Sequence, residues 1–129
     1  MAKRYLIDTS AVIKYLNNSL SSKGSVFIDK IIDQECLLSF ITEVELQVWN
    51  PPAQEDMEVY TYFVNNSSIY YVDESIIKQT INIRKRYRIK IPDAFIAATA
   101  LVYKLTLIAD NDKDFLKIEG LKYINPNKL

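Results

Sequence analysis

Residues 91–115 read IPDAFIAATALVYKLTLIADNDKDF, and this stretch decides the fold. Pro92 precedes Asp93, and residues 94–104 (AFIAATALVYK) form an apolar run long enough for a buried helix. Its alanines allow close approach to a sheet. Residues 106–109 (TLIA) read as a strand without polar alternation and run straight into Asp110-Asn111-Asp112-Lys113-Asp114. A short helix is expected over 112–117. A continuous apolar strand next to a buried helix is the pattern of a parallel sheet covered on both faces.

The same alternation extends outward. Residues 4–7 (RYLI) form a β-prone run ending at Asp8, and 10–17 read as a helix. Val26, Phe27, Ile28, Ile31 and Ile32 make a helical stripe. Residues 36–41 (CLLSFI) have strand length. Thr42 to Leu46 open a helix that continues through Trp49 and is stopped by Pro51-Pro52. Residues 55–64 read as a helix with Met57, Tyr60 and Phe63 or Val64 inward, and 69–72 (IYYV) as a strand. A helix over 75–86 turns Ile76, Ile77, Thr80 and Ile83 inward, and Tyr123-Ile124 form a last short strand. There is no internal repeat. Strands alternating with helices predict an α/β fold with a parallel sheet between helices.

With 129 residues, the chain is expected to be one domain over 1–129, large enough to bury a core without staples. Hydrophobic residues make up 49% and charged residues 25%, which is globular composition. What is scarce excludes whole chemistries. Histidine is absent, cysteine occurs once at Cys36, and glycine occurs only at Gly24 and Gly120. There is no Ser-His-Asp or Cys-His system, no His-ligated zinc and no thiolate cluster. A Walker loop and a GxGxxG turn are excluded too. Carboxylates, hydroxyls, amines or phenols must carry any catalysis. The lone cysteine suits a reducing cytosol. No apolar run has the length of a signal h-region or a membrane span. A soluble cytoplasmic protein is expected.

The net charge is zero, with 16 basic and 16 acidic residues, but it is unevenly spread. Residues 1–30 sum to +3, residues 31–77 to −9 and residues 78–129 to +6. The densest basic run is Arg84-Lys85-Arg86-Tyr87-Arg88-Ile89-Lys90. It reads either as a solvated helix C-terminus complementing the dipole or as a contact to a nucleic-acid backbone. Arg84, Lys85, Arg86 and Arg88 are the candidate RNA contacts. Tyr60, Tyr62, Phe63, Tyr70 and Tyr71 cluster in the acidic middle, which suits a protein partner better than RNA bases.

In open parallel sheets, ligands sit beyond the carboxyl ends of the strands. Acids occupy those positions here. Asp8 follows the first strand, with Thr9 and Ser10. Thr42-Glu43-Val44-Glu45 follow the second, and Asp110, Asp112 and Asp114 follow the strand at 106–109. Asp93 opens the alanine-rich helix. Each has a structural reading as well. Glu45 fits N3 of a capping box from Thr42, Asp93 a dipole partner, Asp8 a turn or cap, and the 110–114 acids ordinary loop residues. Together they bring carboxylates from four segments to one rim. Two such anions about 4 Å apart cost roughly 4 kcal/mol at an effective dielectric near 20. A hard cation, Mg²⁺ or Mn²⁺, removes that conflict with oxygen ligands alone. Such ions activate water and stabilise charge on a phosphoryl group, so the site points to metal-dependent phosphodiester hydrolysis.

The motifs LIDTSAVI (6–13), SFITEVEL (39–46), IPDAFIAATAL (91–101), TLIADNDKDF (106–115) and GLKYINP (120–126), in this order and spacing, resemble the PIN-domain ribonucleases, in particular the VapC-like toxins of type II toxin–antitoxin pairs. The resemblance implies a three-layer α/β/α sandwich with a parallel sheet of four or five strands. It puts the metal ligands on Asp8, Glu45, Asp93 and Asp114, holding one or two Mg²⁺ or Mn²⁺ ions. Thr9, Ser10 and Asn111 take supporting positions. It also implies an RNA substrate, a small antitoxin that occludes the site, and a homodimer. Where the family often has Thr or Ser and then a basic residue, this chain has Ala109-Asp110, which leaves Asp110 and Asp112 as alternates for the fourth acid. Two rival readings remain: a PIN-like interaction domain whose metal site has decayed, and a receiver-like phospho-acceptor. The second lacks an acid pair at Leu6-Ile7-Asp8-Thr9.

Overall fold

The computed structural model describes residues 3–48 and 53–129. Five strands form one sheet: β1 (Tyr5–Ile7), β2 (Leu37–Ser39), β3 (Ser68–Tyr70), β4 (Thr106–Ile108) and β5 (Tyr123–Ile124). The spatial order is β3-β2-β1-β4-β5, and every pair is parallel. The register is direct, with Leu6 opposite both Leu37 and Leu107, and Ile7 opposite Ile108. Among the described residues, seven helices connect the strands: α1 (Thr9–Leu16), α2 (Ser22–Gln34), α3 (Phe40–Val48), α4 (Gln54–Asn65), α5 (Glu74–Arg86), α6 (Ile91–Val102) and α7 (Asp112–Phe115). A 3-10 turn (Pro126–Lys128) follows β5.

Neighbouring strand residues point to opposite faces, and here both faces are dry. Leu6, Leu37 and Leu107 pack in one cluster with Ile76 and Ile83 of α5 and the alanines of α6. Ile7, Leu38 and Ile108 pack in the other with Val12 of α1, Ile28 and Ile31 of α2, and Tyr60 and Val64 of α4. This three-layer arrangement explains why the strands read as unbroken apolar runs. Ala94, Ala97, Ala98 and Ala100 are all buried, as close approach to the sheet demands. Gly24 serves a similar close approach on α2. A Cβ there would stand 2.1 Å from the Pro126 carbonyl oxygen.

Several elements begin elsewhere than the sequence pattern suggests. β2 ends at Ser39, and α3 starts at Phe40, four residues into the run read as strand. The Ser39 hydroxyl accepts from the Ile41 amide at 3.1 Å, so Ser39 rather than Thr42 caps this helix. Thr42 lies inside the first turn, which removes the capping box. α6 begins at Ile91, putting Pro92 and Asp93 in its first turn. β3 ends at Tyr70, leaving Tyr71 and Val72 exposed. Ile77 also points out, at 44% exposure, because the inward stripe of α5 runs through Ile76, Thr80 and Ile83. Val26 likewise leaves the stripe of α2. The expected stop at Trp49 and Pro51-Pro52 lies outside the described residues. Among the described residues, no helix is long and apolar enough to cross a membrane.

Candidate active site at the carboxyl edge of the sheet

The chain enters the sheet at its centre, runs outward through β2 and β3, then returns across β1 to β4. The direction of connection therefore switches between β1 and β4, where an open parallel sheet leaves a crevice at the strand ends. Asp8 sits in that crevice. Its amide donates to the Ile108 carbonyl at 2.8 Å, fixing it to the adjoining strand end. Its side chain caps α1: Oδ2 accepts from the Ser10 amide at 3.2 Å and the Ser10 hydroxyl at 2.6 Å. The cap reading and the site reading of Asp8 thus describe the same residue. Only 5% of it is exposed. Burial, opposed by the Ser10 hydrogen bonds and reinforced by the charges of Asp93 and Glu45, raises its pKa to about 6.

Glu45 projects from the second turn of α3. The Thr9 hydroxyl donates to Glu45 Oε1 at 2.6 Å and lies 3.0 Å from the Thr42 hydroxyl. Thr42 is fully buried. It is a residue that sequence reasoning assigned only to capping, and the TxxE spacing gave no hint of its bond to Thr9. Asp93, at the third position of α6, is half-buried. Burial raises its pKa, the charges of Asp114 and Glu45 add to the rise, and Lys90 offsets part of it. Asp8, Glu45, Asp93 and Asp114 thus feel one another across four segments.

The loop after β4 sorts its acids. Asp110 pairs with Lys14 and accepts from Asn125 Nδ2 at 2.8 Å, which holds its carboxyl below the ordinary range. Asp112 pairs with Lys128 and accepts from the Tyr123 hydroxyl at 2.7 Å and Asn125 Nδ2 at 3.0 Å, with a pKa lowered to about 2. Asp114 instead faces Asp93. Asn111 Nδ2 donates to Asp114 Oδ2 at 3.0 Å, and Asn111 Oδ1 accepts the Asp114 amide at 3.4 Å. The missing basic residue at position 110 is made up from α1: Lys14 lies one helical turn beyond Ser10, on the same face. The Ser10 hydroxyl also accepts the Asp110 amide at 3.2 Å, tying this loop to α1. The helical spacing of Ser10 and Lys14 was the available signal for that contact.

Among the described residues, no three His, Cys, Asp or Glu side chains form a ready-made metal cage. Binding a cation therefore takes side-chain movement. The donor set is all oxygen, and it carries two carboxylates whose charge is disfavoured where they stand. That set fits a hard divalent ion rather than zinc or copper. Of the expected RNA contacts, Arg84 donates to the Ile89 carbonyl at 2.6 Å, and Arg86 binds Glu119 at 2.9 Å over the Tyr87 ring. Lys85 and Arg88 are exposed. The aromatic cluster is mostly internal: Tyr60 is buried, Phe63 and Tyr70 pack against the cores, and only Tyr62 and Tyr71 stand exposed.

The PIN domain family model matches residues 5–121. The chain belongs to the PIN-domain family. Solved structures share the PIN fold along nearly the whole length. A toxin–antitoxin complex from Klebsiella pneumoniae is 25% identical, with a TM-score of 0.72 over 95% of this chain and 97% of that one. DNA-bound VapBC from Salmonella typhimurium is 19% identical, with a TM-score of 0.80 over 97% and 99%. FitAcB from Neisseria gonorrhoeae is 24% identical, with a TM-score of 0.76 over 97% and 99%. No curated protein sequence matches the chain. The five-stranded parallel sheet between helical layers agrees with the PIN architecture expected from the motifs.

Proposed function

We propose that this PIN protein is a metal-dependent endoribonuclease of the VapC type, the toxin of a toxin–antitoxin pair, with residues 1–129 as one nuclease domain. One observation carries the reading. Carboxylates from the end of β1, the second turn of α3, the first turn of α6 and α7 gather at the crevice at the switch point, and burial, reinforced by their mutual charge, raises the pKa of Asp8 and Asp93.

In this reading Asp8, Glu45, Asp93 and Asp114 hold one or two Mg²⁺ or Mn²⁺ ions. When bound, the ion supplies an activated water and offsets charge on the phosphoryl oxygens. The protein's own groups set the geometry. Ser10 orients Asp8, Thr9 orients Glu45, and Asn111 orients Asp114. Such supporting bonds hold ligand carboxylates in position. Asp110 and Asp112 act as structural acids that anchor the loop to Lys14, Asn125 and Lys128. Of the basic run, Lys85 and Arg88 meet the RNA backbone, while Arg84 and Arg86 chiefly shape the turn after α5.

The solved neighbour from Klebsiella is a toxin–antitoxin complex and that from Salmonella a DNA-bound VapBC, which supports a small antitoxin as the protein partner. Exposed Ile77 and Ile81 of α5 and nearby Ile91 supply apolar surface for a homodimer. In this reading the protein acts in the cytoplasm, where RNA is made and translated.

The deciding experiment is ribonuclease activity in Mg²⁺ or Mn²⁺ for the wild type, Asp8→Asn and Asp93→Asn. The wild type should cleave and both variants should fall to background. Full activity in either variant ends the proposal. Calorimetry with Mn²⁺ separates a decayed site, which gives no heat of specific binding.

A further inference from the structure

The groups next to the four acids differ on the two sides of the crevice. Around Asp8 and Glu45 they are hydroxyls, those of Ser10, Thr9 and Thr42. Around Asp93 and Asp114, lysines join Asn111. Lys117 Nζ lies 3.8 Å from Asp114 Oδ1 and donates to the Arg88 carbonyl at 3.1 Å. That second bond stretches Lys117 from the segment after α7 to the loop between α5 and α6, the loop that carries Lys90. Lys90 is the N-cap of α6 and makes no side-chain cap bond. Asp93 follows it by three residues, a spacing that sets the two side chains side by side.

The placement of Lys90 is unfavourable on structural grounds alone. A cation at a helix N-terminus opposes the helix dipole, and N-caps favour Ser, Thr, Asp or Asn over Lys. The Lys117 bond to the Arg88 carbonyl brings a second ammonium toward the same loop. Two exposed amines are thus gathered at the rim on the Asp93–Asp114 side of an anionic crevice, whereas Lys14, on the Asp8 side, is engaged by Asp110. A polyanion approaching the acids meets least repulsion there.

We infer that Lys90 and Lys117 form a two-pronged clamp for the phosphates of an RNA strand that enters over the Asp93–Asp114 side of the crevice. This assignment rests on the endoribonuclease reading and adds the direction of strand entry. Lys117, touching Asp114, takes the phosphate nearer the acids, and Lys90 takes the next one outward. The strand then leaves across the hydroxyl-lined side.

The test measures cleavage of a fluorogenic single-stranded RNA oligonucleotide in fixed Mn²⁺ across a KCl series. It uses wild type, Lys90→Gln, Lys117→Gln, the double variant, Lys117→Arg, and Lys78→Gln as a control on the far end of α5. Each Gln variant should raise KM several-fold with little change in kcat. The slope of log kcat/KM against log salt should flatten by about 0.7 per lysine, the value for one phosphate contact on a single strand. Lys117→Arg should restore the slope, and Lys78→Gln should match the wild type. Titration of metal-free protein with Mn²⁺ should show that Lys117→Gln binds at least as tightly as the wild type, since a positive charge beside Asp114 is gone. An active wild type with an unchanged slope in the double variant overturns the clamp and leaves the nuclease reading standing. A fall in kcat alone with weakened Mn²⁺ binding also overturns it, because the lysines then serve only to hold Asp114. A wild type that neither binds Mn²⁺ nor cleaves RNA overturns both.

Discussion

Thr9 donates its hydroxyl hydrogen to Glu45 across 36 residues of sequence, at 2.6 Å. The bond joins the first turn of α1 to the second turn of α3 and sets where the Glu45 carboxylate points. Thr42 completes the arrangement from below, buried and 3.0 Å from the Thr9 oxygen. Thr9→Val keeps the shape and removes the hydroxyl. Outer partners of metal ligands typically contribute 10- to 100-fold to activity or metal affinity, so Thr9→Val should lower ribonuclease activity by about that factor. Thermal stability should change by about 1 kcal/mol or less. Parallel kinetics and melting curves check this; unchanged activity would show that Glu45 needs no such support.

Asp8 should weaken the metal-free protein at neutral pH. Its pKa stands at about 6 against 3.8 for an unperturbed group, because burial disfavours its charge. The folded state therefore holds the Asp8 proton more tightly than the unfolded state does. The associated stability is fully present below about pH 4 and is lost as pH rises through about 6. The full difference corresponds to roughly 3 kcal/mol. Asp8→Asn abolishes this dependence. In EDTA, the variant's advantage over wild type in melting temperature should grow from pH 4.5 to pH 7.5, while its nuclease activity is absent. A difference that does not move with pH contradicts the prediction.

Divalent cations should reverse that penalty. A ligand that binds only the folded state at 100 times its dissociation constant stabilises by about 2.7 kcal/mol. Mn²⁺ should raise the melting temperature of the wild type by several degrees. It should raise that of Asp93→Asn much less, and EDTA should cancel the effect in both. Equal shifts in the two proteins would place the ion elsewhere.

Asp114 and Asp110 should separate function from stability. Asp114→Asn removes a carboxylate that faces Asp93 and should lower activity at least 100-fold with little loss of stability. Asp110→Asn breaks the pair with Lys14, a partly exposed contact worth about 1 kcal/mol. It should keep most of the activity and melt a few degrees lower. The reverse pattern would make Asp110 the fourth acid.

Much of this was readable in the residues. The alanine run at 94–100 and the unbroken strands announced a sheet covered on both faces, because only dry faces tolerate such sequences. Asp8, Glu45, Asp93 and an acid of the 110–114 loop were legible as one rim because acids after parallel strands share one edge, and the family resemblance pointed to Asp114 within that loop. The loop acids could not be ranked from sequence. Their ranking depends on Lys14 and Lys128, which lie 96 and 16 residues away from their partners. The start of α3 was also hidden. Phe40 and Ile41 are apolar enough to extend a strand, and only the Ser39 cap and the contact of Phe40 with Phe95 of α6 turn them into a helix.

Gly24 offers a test of the packing between α2 and the chain end. Gly24→Ala would place a methyl 2.1 Å from a backbone oxygen, which no side-chain rotation relieves. Forced overpacking of this kind costs about 1–3 kcal/mol. The variant should melt lower while the carboxylate edge stays intact, so kcat at a permissive temperature should match the wild type. An unchanged melting temperature would mean that the terminal turn yields freely.

β1 lies at the middle of the sheet, yet one of its two flanking strands, β4, is about a hundred residues further along. Pairings this distant form slowly and late. A polypeptide still being synthesised thus carries its first acid long before Asp93 and Asp114 exist to meet it. The crevice is complete only when residues 106–114 have emerged, so under the proposed nuclease reading a nascent chain should not cleave RNA before that point.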